Sequence, residues 1–145
     1  MPHPPEYEGL LKIGSFKAAV SSAASMAQFL RTADEMLLAA KSAPMPESAR
    51  FFLAYEGMFS VVMAVLEFHQ VRPGDGGGHR VTAIQRVAAG LTLKASMQSV
   101  LGRLHDVRNR VTYRQALPPI SKADADALQA ILEAMLPKAR ALIGA

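Results

Sequence analysis

The chain has 145 residues and no cysteine, and its 16 Lys or Arg outnumber its 12 Asp or Glu, for a net charge of +4. This length suits one domain that buries about two thirds of its unfolded surface. The lack of cysteine excludes disulfides, thiol catalysis and cysteine-bound metals, and is typical of a reducing compartment. A hydrophobic fraction of 50% and alanine pairs such as Ala18-Ala19 favour closely packed helices, so we expect an all-α fold.

The N-terminal segment Met1-Pro2-His3-Pro4-Pro5 is neither basic nor followed by an apolar stretch, so we expect no signal peptide. No apolar run approaches the roughly eighteen residues that a membrane span needs, and we expect a cytoplasmic protein. Residues 1–15 are predicted to form an arm with a short helix near Glu8 to Ile13. Residues 16–145 are predicted to form a single helical domain.

Hydrophobic spacing predicts five further helices, separated by segments rich in Pro and Gly. They run from Lys17 to Lys41, from Pro46 to just before Arg72, from His79 to Gly90, from about Leu93 or Ala95 to Tyr113, and from Ser121 to about Leu142. The second is apolar over most of its circumference, and we expect the second and fourth at the centre of an antiparallel bundle. Pro137 should kink the last helix or divide it in two.

A glycine run, Gly76-Gly77-Gly78, precedes the third predicted helix. Backbone amides of such a run can cradle phosphate, but the segment lacks both the Gly-Lys-Ser/Thr ending of a P-loop and a preceding strand. We therefore interpret it as a mobile connection. His79 and Arg80 then open the helix, where the helix dipole and the guanidinium could bind an anion; His79 could instead cap the helix.

The fourth predicted helix carries the most informative pattern of the chain. His105, Asn109 and Tyr113 are four residues apart, and Arg108 and Thr112 interleave at the same spacing, so all five form one polar stripe. An adjoining apolar sector contains Val100, Leu101, Leu104, Val107 and Val111. This arrangement suits phosphate recognition, with the Arg108 stem on the core and its guanidinium in a groove. A polar stripe beside an apolar one is also what any half-buried helix presents.

Positive charge is concentrated around the polar stripe. Residues 72–114 hold eight Lys or Arg against Asp75 and Asp106, a local charge of +6 that leaves −2 for the rest. Clustered cations attract polyanions such as RNA by releasing counterions, whereas the same arginines spread over several helices would form an ordinary solvated surface. The candidate ligand-binding residues are His79, Arg80, Arg110 and Thr112.

Arg108-Asn109 followed by Tyr113 resembles the Arg-polar-x-x-x motif, ending in His or Tyr, of HEPN domains, which are small all-helical modules associated with nucleotides and RNA. Other short motifs recur in the same order in a group of bacterial HEPN-like proteins: Leu10-Leu11-Lys12-Ile13-Gly14, Arg50-Phe51 with Ala54-Tyr55, Arg72-Pro73, and Gly78-His79 with Ile84-Gln85. The resemblance covers most of the chain. It implies a HEPN-like bundle that pairs through the motif face into a homodimer with a shared cleft.

HEPN ribonucleases resemble one another in an Arg followed four to six residues later by His. Here the position five residues after Arg108 is Tyr113, and no histidine falls in the window. A tyrosine with an ordinary pKa near 10 is a poor general base at neutral pH. His105 lies one turn before Arg108 and could face the same groove.

Two classes of function follow from the resemblance and stay open. The first is an RNA-directed protein, either a metal-independent ribonuclease of toxin type or a catalytically weakened relative. In it Arg108 holds phosphate, Asn109 orients, and Tyr113 or His105 transfers protons. The second is a non-catalytic module that partners a nucleotidyltransferase or an antitoxin-like protein. The histidines are too scattered to predict a metal site, and we expect neither metal nor cofactor.

Overall fold

A computed structural model describes residues 4–42, 44–113 and 115–144, and in these ranges the chain forms six helices and two short strands. The helices are α1 (Pro5–Lys12), α2 (Ala23–Lys41), α3 (Glu47–Phe68), α4 (His79–Gly90), α5 (Ala95–Thr112) and α6 (Lys122–Ile143), and the strands are β1 (Phe16–Ala18) and β2 (Val71–Pro73). The predicted all-α helical bundle is confirmed, since the strands form only a small antiparallel pair.

α3 lies at the centre of the bundle and packs mainly against α2 and α6. Ten of its residues are buried, as its predicted apolar circumference requires. The expected central position of the fourth predicted helix, α5, is wrong. α5 buries only Leu101, Leu104 and His105 among its described residues, whereas α6 buries seven residues. Apart from His105, the residues of the polar stripe keep one side of α5 toward the surface, and the apolar face of α6 packs in the core beside α3 instead.

Gly57 allows α2 and α6 to approach α3 closely. A Cβ atom at this position would lie 2.7 Å from Cδ2 of Leu132 on α6 and 3.2 Å from Cβ of Met36 on α2. Both separations are shorter than ordinary van der Waals contact between carbon atoms. The lack of a side chain at Gly57 is therefore part of the packing of three helices.

The predicted start of the first long helix at Lys17 is wrong. Phe16–Ala18 is a strand that pairs antiparallel with Val71–Pro73, with Phe16 opposite Pro73. The Phe16 ring is buried beside Tyr7 of α1, with ring centroids 5.3 Å apart. The described part of the N-terminal arm thereby packs against the bundle.

α2 begins at Ala23 because Ser22 caps it. The Ser22 hydroxyl accepts the backbone N–H of Ser25 at 3.2 Å, which satisfies one of the unpaired donors of the first turn. The Glu67 carboxylate of α3 accepts the Ser22 backbone N–H at 2.9 Å and the Ser25 hydroxyl at 2.7 Å. These bonds join the end of α3 to the start of α2.

The segment before the glycine run is held by the N-terminal part of the chain. The expectation that no strand precedes it is wrong, because β2 ends at Pro73. The Gly74 N–H donates to the Ser15 carbonyl at 2.8 Å, and Asp75 forms an ion pair with Lys17. A Cβ at Gly74 would lie 2.1 Å from the carbonyl oxygen of Gly14, so only glycine fits this close approach.

α6 runs without interruption through Pro137, so the alternative of two separate helices is not what the chain adopts.

α3 corrects the expectation that no stretch is long and apolar enough to span a membrane. By length and composition it could cross one, with a mean hydropathy of 1.6 over its most apolar stretch. More than half of that stretch, 56%, is buried inside the bundle. This burial is that of a helix in the core of the bundle.

Candidate functional site

A pocket of about 290 Å³ opens between the glycine run, the first turn of α4 and the second half of α5. Four residues of the polar stripe line it, namely His105, Arg108, Asn109 and Tyr113. Arg80 of α4 faces them across the pocket, and the other lining residues are Gly76, Gly77, Gly78, Val81 and Asp106. The glycine run and the polar stripe, which are distant in sequence, thus form one site.

The other predicted ligand-binding residues are not among those that line this pocket. Arg110 donates to the carbonyl oxygens of Gln115 at 3.3 Å and Pro118 at 2.8 Å, and so holds the segment after α5. Thr112 is exposed at the end of α5. His79 is the first residue of α4. The N-cap position is occupied by Gly78, which has no side chain, so His79 does not cap the helix.

Two aromatic rings of α3 lie under the guanidinium groups of Arg80 and Arg108. The guanidinium carbon of Arg108 lies 4.9 Å from the centroid of the Tyr55 ring, and that of Arg80 lies 4.0 Å from the centroid of the Phe59 ring. Tyr55 and Phe59 are one helical turn apart and therefore neighbours on the same face. Attraction between each cation and the π-face below it holds both guanidinium groups at the same pocket.

Within residues 4–42, 44–113 and 115–144, no carboxylate forms an ion pair with Arg80 or Arg108. Asp106 lines the pocket but is not within ion-pair distance of either guanidinium. Arg103, by contrast, lies on the same helix and pairs with Asp124 at 3.0 Å. The two pocket arginines therefore present positive charge that the described part of the chain does not neutralise.

A chain of hydrogen bonds runs from Arg108 into the core. The guanidinium donates to Oδ1 of Asn109 at 3.2 Å, and because arginine can only donate, the amide oxygen must face it. The Asn109 amide nitrogen then donates to Nε2 of His105 at 3.1 Å, so this ring nitrogen carries no proton. Neutral His105 therefore holds its proton on Nδ1 and donates it to the Tyr55 hydroxyl at 3.0 Å.

No known protein family, curated protein or solved structure matches this chain. The HEPN resemblance therefore stays a prediction from the short motifs.

Burial keeps His105 and Tyr55, the two inner residues of this chain of hydrogen bonds, neutral. Burial lowers the pKa of His105, an effect that the positive charges of Arg108 and Arg80 reinforce and the negative charge of Asp106 opposes. Burial raises the pKa of Tyr55, although a hydrogen bond and the positive charge of Arg80 act in the other direction. His105 is only 5% exposed, and both of its ring nitrogens are hydrogen-bonded.

Tyr55 and Phe59 belong to the apolar second predicted helix, which is expected at the centre of the bundle, and their contacts with Arg108 and Arg80 were not predicted. Tyr55 did carry a signal, because the hydroxyl of a tyrosine in an otherwise apolar helix needs a buried hydrogen-bond partner. Nothing in the sequence indicates that the partner is His105. Among the residues that the structure describes, no group of three or more His, Asp or Glu side chains could hold a metal ion.

The lowered pKa of His105 predicts that the protein is less stable in mild acid. The folded state binds this proton more weakly than the unfolded state, so the stability present above about pH 6.5 is lost progressively as the pH falls below that value. Tyr55, Arg80, Asp106 and Arg108 are the charged or titratable groups that act on the ring. We expect the melting temperature to be lower at pH 5 than at pH 7, measured by thermal unfolding.

His105→Gln is the control for this pH dependence, because it keeps a polar side chain and removes only one titrating group. Its melting temperature should change less between pH 7 and pH 5 than that of the parent. Hydrogen bonds from Lys17 and Lys122 lower the pKa values of Asp75 and Asp126 below their ordinary 3.8. These carboxylates therefore titrate below the range from pH 5 to pH 7. An equal pH dependence in the variant and the parent would contradict the assignment to His105.

Proposed function

We propose that the protein binds the phosphate groups of RNA or of a nucleotide in the pocket between α4 and α5. The observation that carries this proposal is the pair of guanidinium groups, Arg80 and Arg108, that line one pocket without a carboxylate partner among the described residues. Guanidinium groups match the geometry and charge of phosphate. The first turn of α4, whose backbone N–H groups favour an anion, adds to the same attraction.

Tyr113 favours a nucleic acid or nucleotide over free phosphate as the natural ligand. Its side chain is 78% exposed, yet it lines the mouth of the phosphate pocket. An exposed aromatic ring beside a cationic pocket can stack on a base while the arginines hold the neighbouring phosphate. Single-stranded RNA offers both groups at once, since its bases are free to leave the stack.

The surroundings of His105 support binding rather than efficient cleavage. A general acid or base needs a ring nitrogen that can exchange a proton with the substrate. Both nitrogens of His105 are used by Tyr55 and Asn109. We therefore propose a catalytically weakened relative of the ribonucleases that the motif resembles. Incubation with total RNA without added metal, with Arg108→Ala as the control, tests this; rapid cleavage by the parent and not by the variant would contradict it.

RNA binding at this pocket should depend on salt to a moderate degree. If Arg80 and Arg108 neutralise two phosphates of a single strand, the slope of log affinity against log salt is about −1.4, a loss of roughly sevenfold between 50 and 200 mM salt. Fluorescence anisotropy with a labelled single-stranded RNA measures this slope. A lack of any binding at low salt would favour the alternative protein-interaction module, with an antitoxin-like protein or a nucleotidyltransferase as its partner.

We further propose a homodimer that forms through the face bearing Tyr113. Leu117, just beyond α5, is 77% exposed, and Val107 and Val111 of the adjoining sector are only half-buried. Such apolar surface beside a binding pocket is typical of a protein contact. Light scattering at micromolar concentration should give about twice the chain mass of 15.5 kDa. A strict monomer would rule out a cleft shared by two pockets.

We expect the protein to act in the cytoplasm.

A further inference from the structure

Tyr55 is fully buried in α3 and does not line the phosphate pocket, yet it interacts with three residues that do, namely His105, Arg108 and, through a hydrogen bond, Arg80. Its hydroxyl lies 3.0 Å from Nδ1 of His105, and its ring lies under the guanidinium of Arg108. A buried side chain in this position can act on a ligand only through its neighbours.

The hydroxyl accepts the proton that the Arg108–Asn109 and Asn109–His105 bonds leave on Nδ1 of His105. As long as Tyr55 accepts the Nδ1 proton, Nε2 is free to accept the Asn109 amide nitrogen, and the Asn109 oxygen faces Arg108. Every bond in this chain then has one donor and one acceptor, so Arg108, which can only donate, and Tyr55, which accepts, favour the same orientation of the Asn109 amide.

Loss of the hydroxyl would reverse this chain. The Nδ1 proton would have no acceptor in a buried site, so His105 would move its proton to Nε2. The Asn109 amide would then turn its oxygen toward His105 and its nitrogen toward Arg108. The Asn109 amide nitrogen and the Arg108 guanidinium, both donors, would then face each other. Arg108 would lose the hydrogen bond to Asn109 that helps to hold it over the residue 55 ring.

We propose that Tyr55 is a positioning residue for phosphate binding: through His105 and Asn109 it fixes the place of the Arg108 guanidinium in the pocket. This inference rests on the proposed function, because it concerns the affinity of the same pocket. It extends that function to a buried residue that is not among those lining the pocket.

The test compares Tyr55→Phe with the parent by two independent measurements. NMR of the imidazole nitrogens should find the proton of His105 on Nδ1 in the parent and on Nε2 in the variant. Titration with inorganic phosphate should give an affinity about fivefold lower in the variant, the loss expected for one hydrogen bond. Tyr7→Phe is the matched control, because it removes another buried tyrosine hydroxyl and should leave phosphate affinity unchanged.

Asn109→Ala provides a second route should Tyr55→Phe fold poorly. It should by itself weaken phosphate binding to a similar degree. Where Tyr55→Phe folds, the double variant should bind no more weakly than Asn109→Ala alone, because both residues act along one chain of hydrogen bonds. Additive losses would overturn the inference. So would a His105 proton on Nε2 in the parent, whatever the variants do.

The outcomes separate the inference from the function on which it rests. If Arg108→Ala weakens phosphate binding while Tyr55→Phe changes neither the affinity nor the position of the His105 proton, Tyr55 is not a positioning residue and the binding function stands. If Arg108→Ala binds phosphate as tightly as the parent, the proposed function and the role of Tyr55 both fail.

Discussion

Arg108→Ala is expected to lower the affinity for inorganic phosphate and for single-stranded RNA by at least tenfold. Hydrogen bonds to a charged group contribute about 1.5–3 kcal/mol, and a loss of 1.4 kcal/mol is already tenfold in affinity. Stability should fall by only about 1 kcal/mol, because the variant loses one cation–π contact and one partly buried hydrogen bond. Isothermal titration calorimetry and thermal unfolding of the same samples measure both effects.

Arg31→Ala is the matched control for the loss of charge. Arg31 is exposed on α2, donates a hydrogen bond to the Gln28 side chain three residues before it, and is not among the residues that line the pocket. Its removal changes the net charge of the protein by the same amount and should leave phosphate affinity within about twofold, since exposed charges away from the pocket are screened by salt. Equal losses in the two variants would mean that binding depends on overall charge. Arg108 would then have no specific part in it.

Gly57→Val is expected to destabilise the protein by about 2–3 kcal/mol, the usual cost of forcing extra atoms into a packed core. The new side chain would meet Leu132 and Met36, which already lie within 2.7 and 3.2 Å of the position of a single added Cβ. For a chain of this size the melting temperature should fall by roughly 5–10 °C. Differential scanning calorimetry measures the change directly.

Gly102→Val makes the same substitution where the structure leaves room. Gly102 lies inside α5, and apart from its chain neighbours and the backbone of its own helix, no atom of the described residues comes within 4 Å of an added Cβ. Valine has a slightly better helix propensity than glycine, so stability should change by less than about 0.5 kcal/mol. A similar loss in both variants would show that valine itself is disfavoured in these helices, and that close packing at Gly57 is not the cause.

The sequence predicted the helices well because their signal is local. An apolar residue at every third or fourth position marks a buried helix face, and α3 to α6 lie within a few residues of their predicted bounds. β1 gave no such signal, since three residues are too few for a period to be recognised. It exists because Phe16 pairs with Pro73, far along the chain, and that pairing moved the start of α2 from Lys17 to Ala23.

The sequence by itself determined the helical class, the concentration of positive charge, and the polar stripe that includes Arg108 and Asn109, since residues of one helix keep their relative positions wherever the helix packs. Only the tertiary structure decided that α6 shares the core with α3, and that Arg80 joins the stripe at one pocket. It also brought the Tyr55 hydroxyl to His105, 50 positions away in the chain. The physical reason is that packing of helix faces depends on all of them together, and no local pattern encodes which buried hydroxyl will meet which imidazole.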